Sequence, residues 1–436
     1  MKYFIIFIIF GFFFQHSSAQ DTASRVITIE QLFEMTEVNA KLLSVSHQSI
    51  GISGNRIEIA KADRLPEIGA SADLGYLSTI AILNPDFSFH SNVTTPHVSN
   101  NYFIGASEIL SKGGFINHNV QRAKLVEELA SLNYEKDKQE IKILLLSKYL
   151  ELYQFFNGRK IYLKNIQLAQ RRLGDLTKLR KQGLVTHNDL IRNQLQIADF
   201  KLDLDHIENN IDILNNDLCV VLGISQQTHI TPDTTLINNI IAEKTLYDYQ
   251  QSAYAEQPEM KAAKINEKIG EQTVIMEKSA RYPVLSLYAG DALQRPFLLT
   301  LEPLDIYYNA YQAGIKLQYN ISSIYHAKDK IRQANLELAQ QRTRSELQKQ
   351  QTEIGVNTAY TKFKEAKNDY KTLEISLELA DDNFRVVEKK YINQLAQITD
   401  ILDASTAKLA AELRLSNARI NIINQWYRLQ KASGNF

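Results

Sequence analysis

The chain has few of the residues that interrupt helices and almost none that cross-link small folds. Only 17 glycines and 8 prolines are spread over 436 residues, which suits long unbroken helices better than a loop-rich fold. A single cysteine, Cys219, excludes an intramolecular disulfide. It lies in the run Leu218-Cys219-Val220-Val221-Leu222 and is read as a small buried hydrophobe. Charge is balanced, with 49 Lys+Arg against 49 Asp+Glu, so nothing favours nucleic acid or an acidic substrate. Beyond the N-terminus no run of about 18 apolar residues could cross a membrane as a helix. Walker A, GxGxxG and GxSxG stretches are missing, and no His pair has ligand spacing on a helix face. Four methionines give no basis for a thioether metal route. The chain is therefore read as a non-enzyme with no cofactor or metal.

What is present begins with an export signal. Lys2 precedes an apolar stretch from Tyr3 to Phe14, and Ser17-Ser18-Ala19 supplies small residues. This predicts a signal peptide over 1–19, cleaved before Gln20, with no cysteine there for a lipid anchor. An exported chain without a membrane helix enters a membrane, if at all, by strands.

From Thr28 to about Arg64 apolar residues recur at helical spacing, and Pro66 stops the helix. Alternation follows: Ile68, Ala70, Ala72, Leu74 and Tyr76 oppose Gly69, Ser71, Asp73 and Gly75. That is a strand over about 67–78, suited to a barrel with lipid outside, or equally to a half-buried soluble sheet. Residues from Thr79 to Asn101 read as a loop, and about 102–110 as the returning strand, on which Glu108 has no clear face. Phe115 to Gln182 holds no proline and reads as a helix about 100 Å long at 1.5 Å per residue. After a turn at Gly183, a second helix ends at Gly223, giving a hairpin over 115–223. Its seam Ile207, Ile211, Leu214, Leu218 and Val221 has coiled-coil spacing.

A polar link over 224–244 leads to a repetition. The first repeat is 20–223 and the second 245–436. The second contains a helix ending at Arg281-Tyr282-Pro283, strands over about 284–291 and 311–320, and a hairpin over 323–434. Tyr311, Ala313, Ile315, Leu317 and Tyr319 oppose Gln312, Gly314, Lys316, Gln318 and Asn320. Gln312, Lys316 and Gln318 on one face predict a water-filled lumen. The turns also match: Leu184, Asp189 and Leu190 align with Leu395, Asp400 and Ile401. Four strands cannot close a membrane barrel, which needs about eight, so the barrel reading requires oligomers. The competing reading is a soluble periplasmic coiled-coil adaptor or scaffold, which leaves the strands unexplained.

This order of elements resembles the TolC-like outer-membrane efflux family over essentially the whole mature chain. The most specific parts are the duplication, Gly183-Leu184-Val185 with Asp189, Tyr391 with Thr399-Asp400-Ile401-Leu402-Asp403-Ala404, and Asn320-Ile321-Ser322-Ser323. The resemblance implies a mainly α fold with a membrane β-barrel part. Duplicated helical hairpins would form a trimeric periplasmic tunnel, and four strands per chain would contribute to a shared 12-stranded barrel. It implies a passive exit duct in the outer membrane, a homotrimer in outer-membrane lipid. A periplasmic adaptor (membrane fusion protein) would link it to an inner-membrane pump. The adaptor-docking tips would be Gly183, Leu184, Val185 and Thr186 with Leu395, Ala396, Gln397 and Ile398. Asp400 and Asp403 match acidic rings at the periplasmic gate, and Tyr391 and Asp189 match positions that hold the tip closed. The family's cation is replaced by Ala396, with Arg180, Lys181, Lys389 and Lys390 nearby.

Overall fold

The computed structural model describes residues 24–233, 244–300 and 303–436. The predicted signal peptide over 1–19 and much of the predicted 224–244 link lie outside the described residues. In chain order the elements are β1 (Ser24–Ile27), α1 (Ile29–Asn39), α2 (Lys41–Ala62), β2 (Glu67–Tyr76), β3 (Ile80–Leu83), β4 (Phe89–Val93), β5 (Val98–Lys112), α3 (Phe115–Lys181), α4 (His187–Leu222) and β6 (His229–Pro232). They continue as α5 (Leu246–Glu256), α6 (Pro258–Ser279), β7 (Val284–Arg295), β8 (Tyr308–Gln318), α7 (Ser323–Ile392) and α8 (Ile398–Ala432). Two compact units draw on both halves of the sequence. One gathers the chain up to Ala40 with Leu144–Ile241 and Ala366–Asn424; the other gathers Lys41–Ile143, Ala242–Glu365 and Gln425–Phe436.

Three sequence expectations need correction. The helix expected from Thr28 to Arg64 is two helices, because Ala40 leaves helical geometry at φ −64° and ψ 116°. The helix expected from Thr245 to Arg281 breaks in the same way at Gln257, φ −63° and ψ 126°, with Pro258 at the first turn of α6. Each break residue still donates its N–H to the carbonyl four residues back, Ala40 to Thr36 at 3.0 Å and Gln257 to Ala253 at 3.1 Å. The first helix of each pair opens on a capping box, Thr28 with Gln31 and Thr245 with Asp248. Second, the loop expected over Thr79 to Asn101 contains an antiparallel hairpin, β3 with β4. Third, the link after Gly223 contains β6, which pairs in parallel with β1.

In the strand-bearing unit the sheet order is β2-β5-β7-β8, antiparallel throughout. Alternate residues face opposite ways. Ile68, Leu74, Tyr102, Ile104, Leu287, Leu293, Tyr311, Ile315 and Leu317 share one face in this register, and they are exposed. Glu67, Ser71, Asp73, Asn101, Ser107, Gln294, Gln312 and Lys316 share the other. Glu108 falls on the apolar face opposite Leu287, just before a bulge between Ile109 and Ser111. Gly113 then turns the chain into α3 at φ +61°, where a Cβ would stand 2.8 Å from both the Ser279 carbonyl oxygen and Tyr282 Cβ. Gly113→Ala combines left-handed strain with that collision and is expected to cost about 2 kcal/mol, read as a lower guanidinium unfolding midpoint.

In the other unit, Leu145, Leu146, Leu152, Leu218, Leu222 and Ile230 are almost fully buried. Tyr149 of α3, 1% exposed, ties this core to both short strands. Its hydroxyl donates to the Ile27 carbonyl at 2.6 Å and accepts the Asp233 N–H at 2.9 Å.

Candidate functional site

Within the second unit described, α3–α4 and α7–α8 form hairpins whose turns lie on a shared core. Leu176, Leu190, Phe384, Ile398, Ile401 and Ala404 are buried together, with Leu173, Val185, Val387, Tyr391 and Leu402 against them. The two turns have the same backbone. In the first, the Gly183 N–H donates to Arg180 at 2.9 Å and the Leu184 N–H to Leu179 at 3.0 Å. In the second, Gln394 donates to Tyr391 at 3.0 Å and Leu395 to Lys390 at 2.8 Å. This is the Schellman arrangement, which needs a left-handed residue after the helix. Gly183 supplies it at φ 76° and Gln394 at φ 61°, so the second turn keeps the geometry without the glycine. A side chain in that region costs about 1 kcal/mol. Gln394→Gly is expected to stabilise by about that amount and Gly183→Ala, whose Cβ would meet nothing within 4 Å, to destabilise by about the same. Thermal unfolding of the two variants checks the opposite signs.

Two of the acidic residues assigned to the gate are engaged by these turns. The Asp189 carboxylate accepts the Thr186 N–H at 2.7 Å and the Thr186 hydroxyl at 2.8 Å, while Thr186 Oγ1 accepts the Asp189 N–H at 3.3 Å. Asp400 accepts the Gln397 N–H at 2.9 Å. Gln397 has no hydroxyl, so the reciprocal half of the box is lost there. Asp403, one turn further along α8, is exposed.

Leu184, Val185, Asp189, Tyr391, Ala396 and Ile398 line one cleft of about 330 Å³, to which Gln397 also contributes. Gly183, Thr186 and Leu395 adjoin it in sequence, and Leu395 is 76% exposed. Arg180, Lys181, Lys389 and Lys390 are all exposed.

The cation that faces Tyr391 is Arg172, which the sequence reading missed. Arg172 donates to Gln196 Oε1 at 3.1 Å, and Gln196 Nε2 donates to the Leu402 carbonyl at 3.3 Å and Thr406 Oγ1 at 3.1 Å. Gln196 is 9% exposed, so this chain of bonds connects α3, α4 and α8 away from water. Burial pulls the Arg172 guanidinium below its usual pKa, opposed by the charges of Glu388 and Tyr391. Burial pushes the Tyr391 phenol upward; the Asp189 charge adds to this and Arg172 opposes it. The Tyr391 hydroxyl is buried with no hydrogen-bond partner among the described residues. A lone Arg and Gln separated by 24 positions carry no sequence signal of this kind.

The residues assigned to the lumen, Gln312, Lys316 and Gln318, lie on the polar face of the sheet by its register. Among the described residues no group of three or more His, Cys, Asp or Glu is arranged to hold a metal, and no helix is long and apolar enough to cross a membrane.

Residues 250–435 match the family model described as "Outer membrane efflux protein". No curated protein matches the chain significantly. Among solved structures, the outer-membrane channel OprN superposes with a TM-score of 0.77 at 15% identity, covering 94% of this chain and 90% of that one. The outer membrane protein VceC from Vibrio cholerae gives 0.72 at 15% identity, covering 93% and 96%. The Campylobacter jejuni CmeC outer membrane channel gives 0.71 at 13% identity, covering 93% and 85%.

Proposed function

We propose, from the match of residues 250–435 to the family model described as outer membrane efflux protein, that this chain belongs to that family and is the passive outer-membrane exit channel of a tripartite efflux system. The observation that carries this reading is the sheet. It has one apolar and one polar face, and β2 and β8 gain no further strand partner among the described residues. Open edges are not viable in lipid, where every backbone group needs a partner. Three copies joined edge to edge would make a closed barrel of twelve strands, with Gln312, Lys316 and Gln318 toward water and Ile315 and Leu317 toward lipid. The helices would extend into the periplasm from such a barrel.

In this reading the hairpin turns meet a periplasmic adaptor, which couples the channel to an inner-membrane pump. The exposed Leu184 and Leu395, beside a cleft lined by Val185, Ala396, Gln397 and Ile398, support docking there. The exposed Asp400 and Asp403 would form stacked carboxylate rings at the gate in a trimer. Asp189 and Tyr391 would hold the turns together behind them.

Detergent-extracted protein reconstituted into planar bilayers tests the reading: a cation-selective conductance from a trimer-sized particle is expected. A soluble monomer without conductance would sink it. Asp403→Asn, which leaves the turn bonds intact, is expected to raise by about 3-fold the concentration of multivalent cation giving half block. Unchanged block in both Asp403→Asn and Asp400→Asn would remove these residues from the gate.

A further inference from the structure

A row of glycines crosses the polar face of the sheet. Gly69, Gly105 and Gly290 stand side by side in register, with Gln312 next to them on β8. The Phe103 ring lies over two of these glycines: a Cβ on Gly105 would fall 2.5 Å from its Cζ, and one on Gly290 would fall 2.8 Å from its Cε2. Tyr288 lies over Gly314, its hydroxyl 3.1 Å from where a Cβ would stand. A ring laid on bare backbone restores contacts that glycine forgoes in a strand. That packing explains the covered side of each ring. It does not use the other side, and Phe103 and Tyr288 are still 39% and 36% exposed.

A hollow of about 290 Å³ opens beside the two rings, lined by Phe103, Tyr288, Gly69, Gly105, Gln312 and Glu67. At Gly69, where a Cβ would meet nothing within 4 Å, its floor is bare backbone, so a flat guest can approach closely there. Glu67 is exposed and forms no ion pair among the described residues. Glu67 is the one charged side chain of that lining, and it stands next to two aromatic rings.

We propose that this hollow binds planar aromatic cations. The guest stacks on Phe103 and Tyr288, its positive charge lies against the Glu67 carboxylate and the ring faces, and Gln312 supplies a hydrogen bond. Aromatic faces and a carboxylate together select an organic cation over a neutral or anionic molecule of the same shape. The volume falls just below the usual range for small-molecule sites, about 300–1,000 Å³, and admits a few fused rings. An open, shallow site releases what it binds, as a passage requires. Its place inside a channel rests on the function proposed above; the hollow and its chemistry do not.

Ethidium titrated by fluorescence into the full-length protein in detergent tests the site, with fluorescein as the anionic planar control. Saturable ethidium binding is expected, weakened about 3-fold to 10-fold by Glu67→Gln and by Phe103→Leu. Fluorescein is expected to bind more weakly than ethidium and not to lose affinity in Glu67→Gln. Glu67 is exposed, so Glu67→Gln is expected to keep the wild-type melting temperature and separates charge from folding. Equal ethidium affinity in wild type and both variants overturns the proposal, as does fluorescein binding as tightly as ethidium. Bilayer conductance of the same preparations separates the two levels. Conductance with unaltered dye binding removes the site and leaves the channel, whereas variant-sensitive dye binding without conductance removes the channel and leaves the site.

Discussion

Tyr149→Ala is expected to destabilise its unit by about 4 kcal/mol, the range for removing a large buried aromatic. The ring is 1% exposed, and its hydroxyl joins the Ile27 carbonyl to the Asp233 N–H. Tyr149→Phe keeps the ring and leaves those two groups without their partner, at a cost of about 2 kcal/mol. Guanidinium unfolding, followed by tyrosine fluorescence, distinguishes the two losses. Burial also pushes the Tyr149 phenol from 10.0 to about 12. A phenol raised on folding contributes its full stability below the unfolded pKa and loses it as pH climbs through the folded one. Wild-type stability should therefore decline between pH 10 and about 12, by about 2 kcal/mol from this group. That part of the decline should be missing in Tyr149→Phe. Parallel pH curves for the two proteins would show that the hydroxyl is not buried as described.

Gln196→Leu is expected to cost about 3 kcal/mol, because it leaves the Arg172 guanidinium without its acceptor in a site removed from water. The Leu402 carbonyl and Thr406 hydroxyl lose a donor in the same substitution. The loosening should concentrate at the hairpin turns. Limited proteolysis after Arg180 or Lys181 should accelerate in Gln196→Leu while cleavage in the sheet stays slow. Gln196→Glu, which offers Arg172 a carboxylate but withdraws both donated bonds, should fall between wild type and Gln196→Leu. Equal cleavage in all three would show that the buried relay does not hold the turns.

Much of the architecture was legible because two periodicities announce themselves over long stretches. Alternation in 68–76 and 311–319 located β2 and β8 within a few residues, and Pro66 and Pro283 marked the entries to the first strand of each pair. The break at Ala40 was not legible on its own, since neither glycine nor proline stands there. The duplication held an unread signal for it, since Pro258 follows the equivalent break at Gln257. The hairpin β3–β4 was hidden in a segment rich in Asn, Ser and Thr, with its turn carried by Phe87 at φ 66° rather than by a glycine. β1 and β6 are four residues each, too short for alternation to register, and depend on Tyr149, distant in sequence. The turn residues were found by their resemblance and their match to each other, but Arg172 and Gln196 owe their importance to burial, which composition does not report.

The free edges of the sheet bear on how the protein is made as well as on what it does. β2 and β8 carry rows of backbone donors and acceptors that no other described strand of the chain meets. In the proposed trimeric barrel the last pairing step would be between chains, and maturation would then rise faster than linearly with the amount of chain made. Until that step each chain would present an apolar sheet face and two unpaired borders to its surroundings. In that case slow synthesis would favour solitary, unfinished chains over assembled ones.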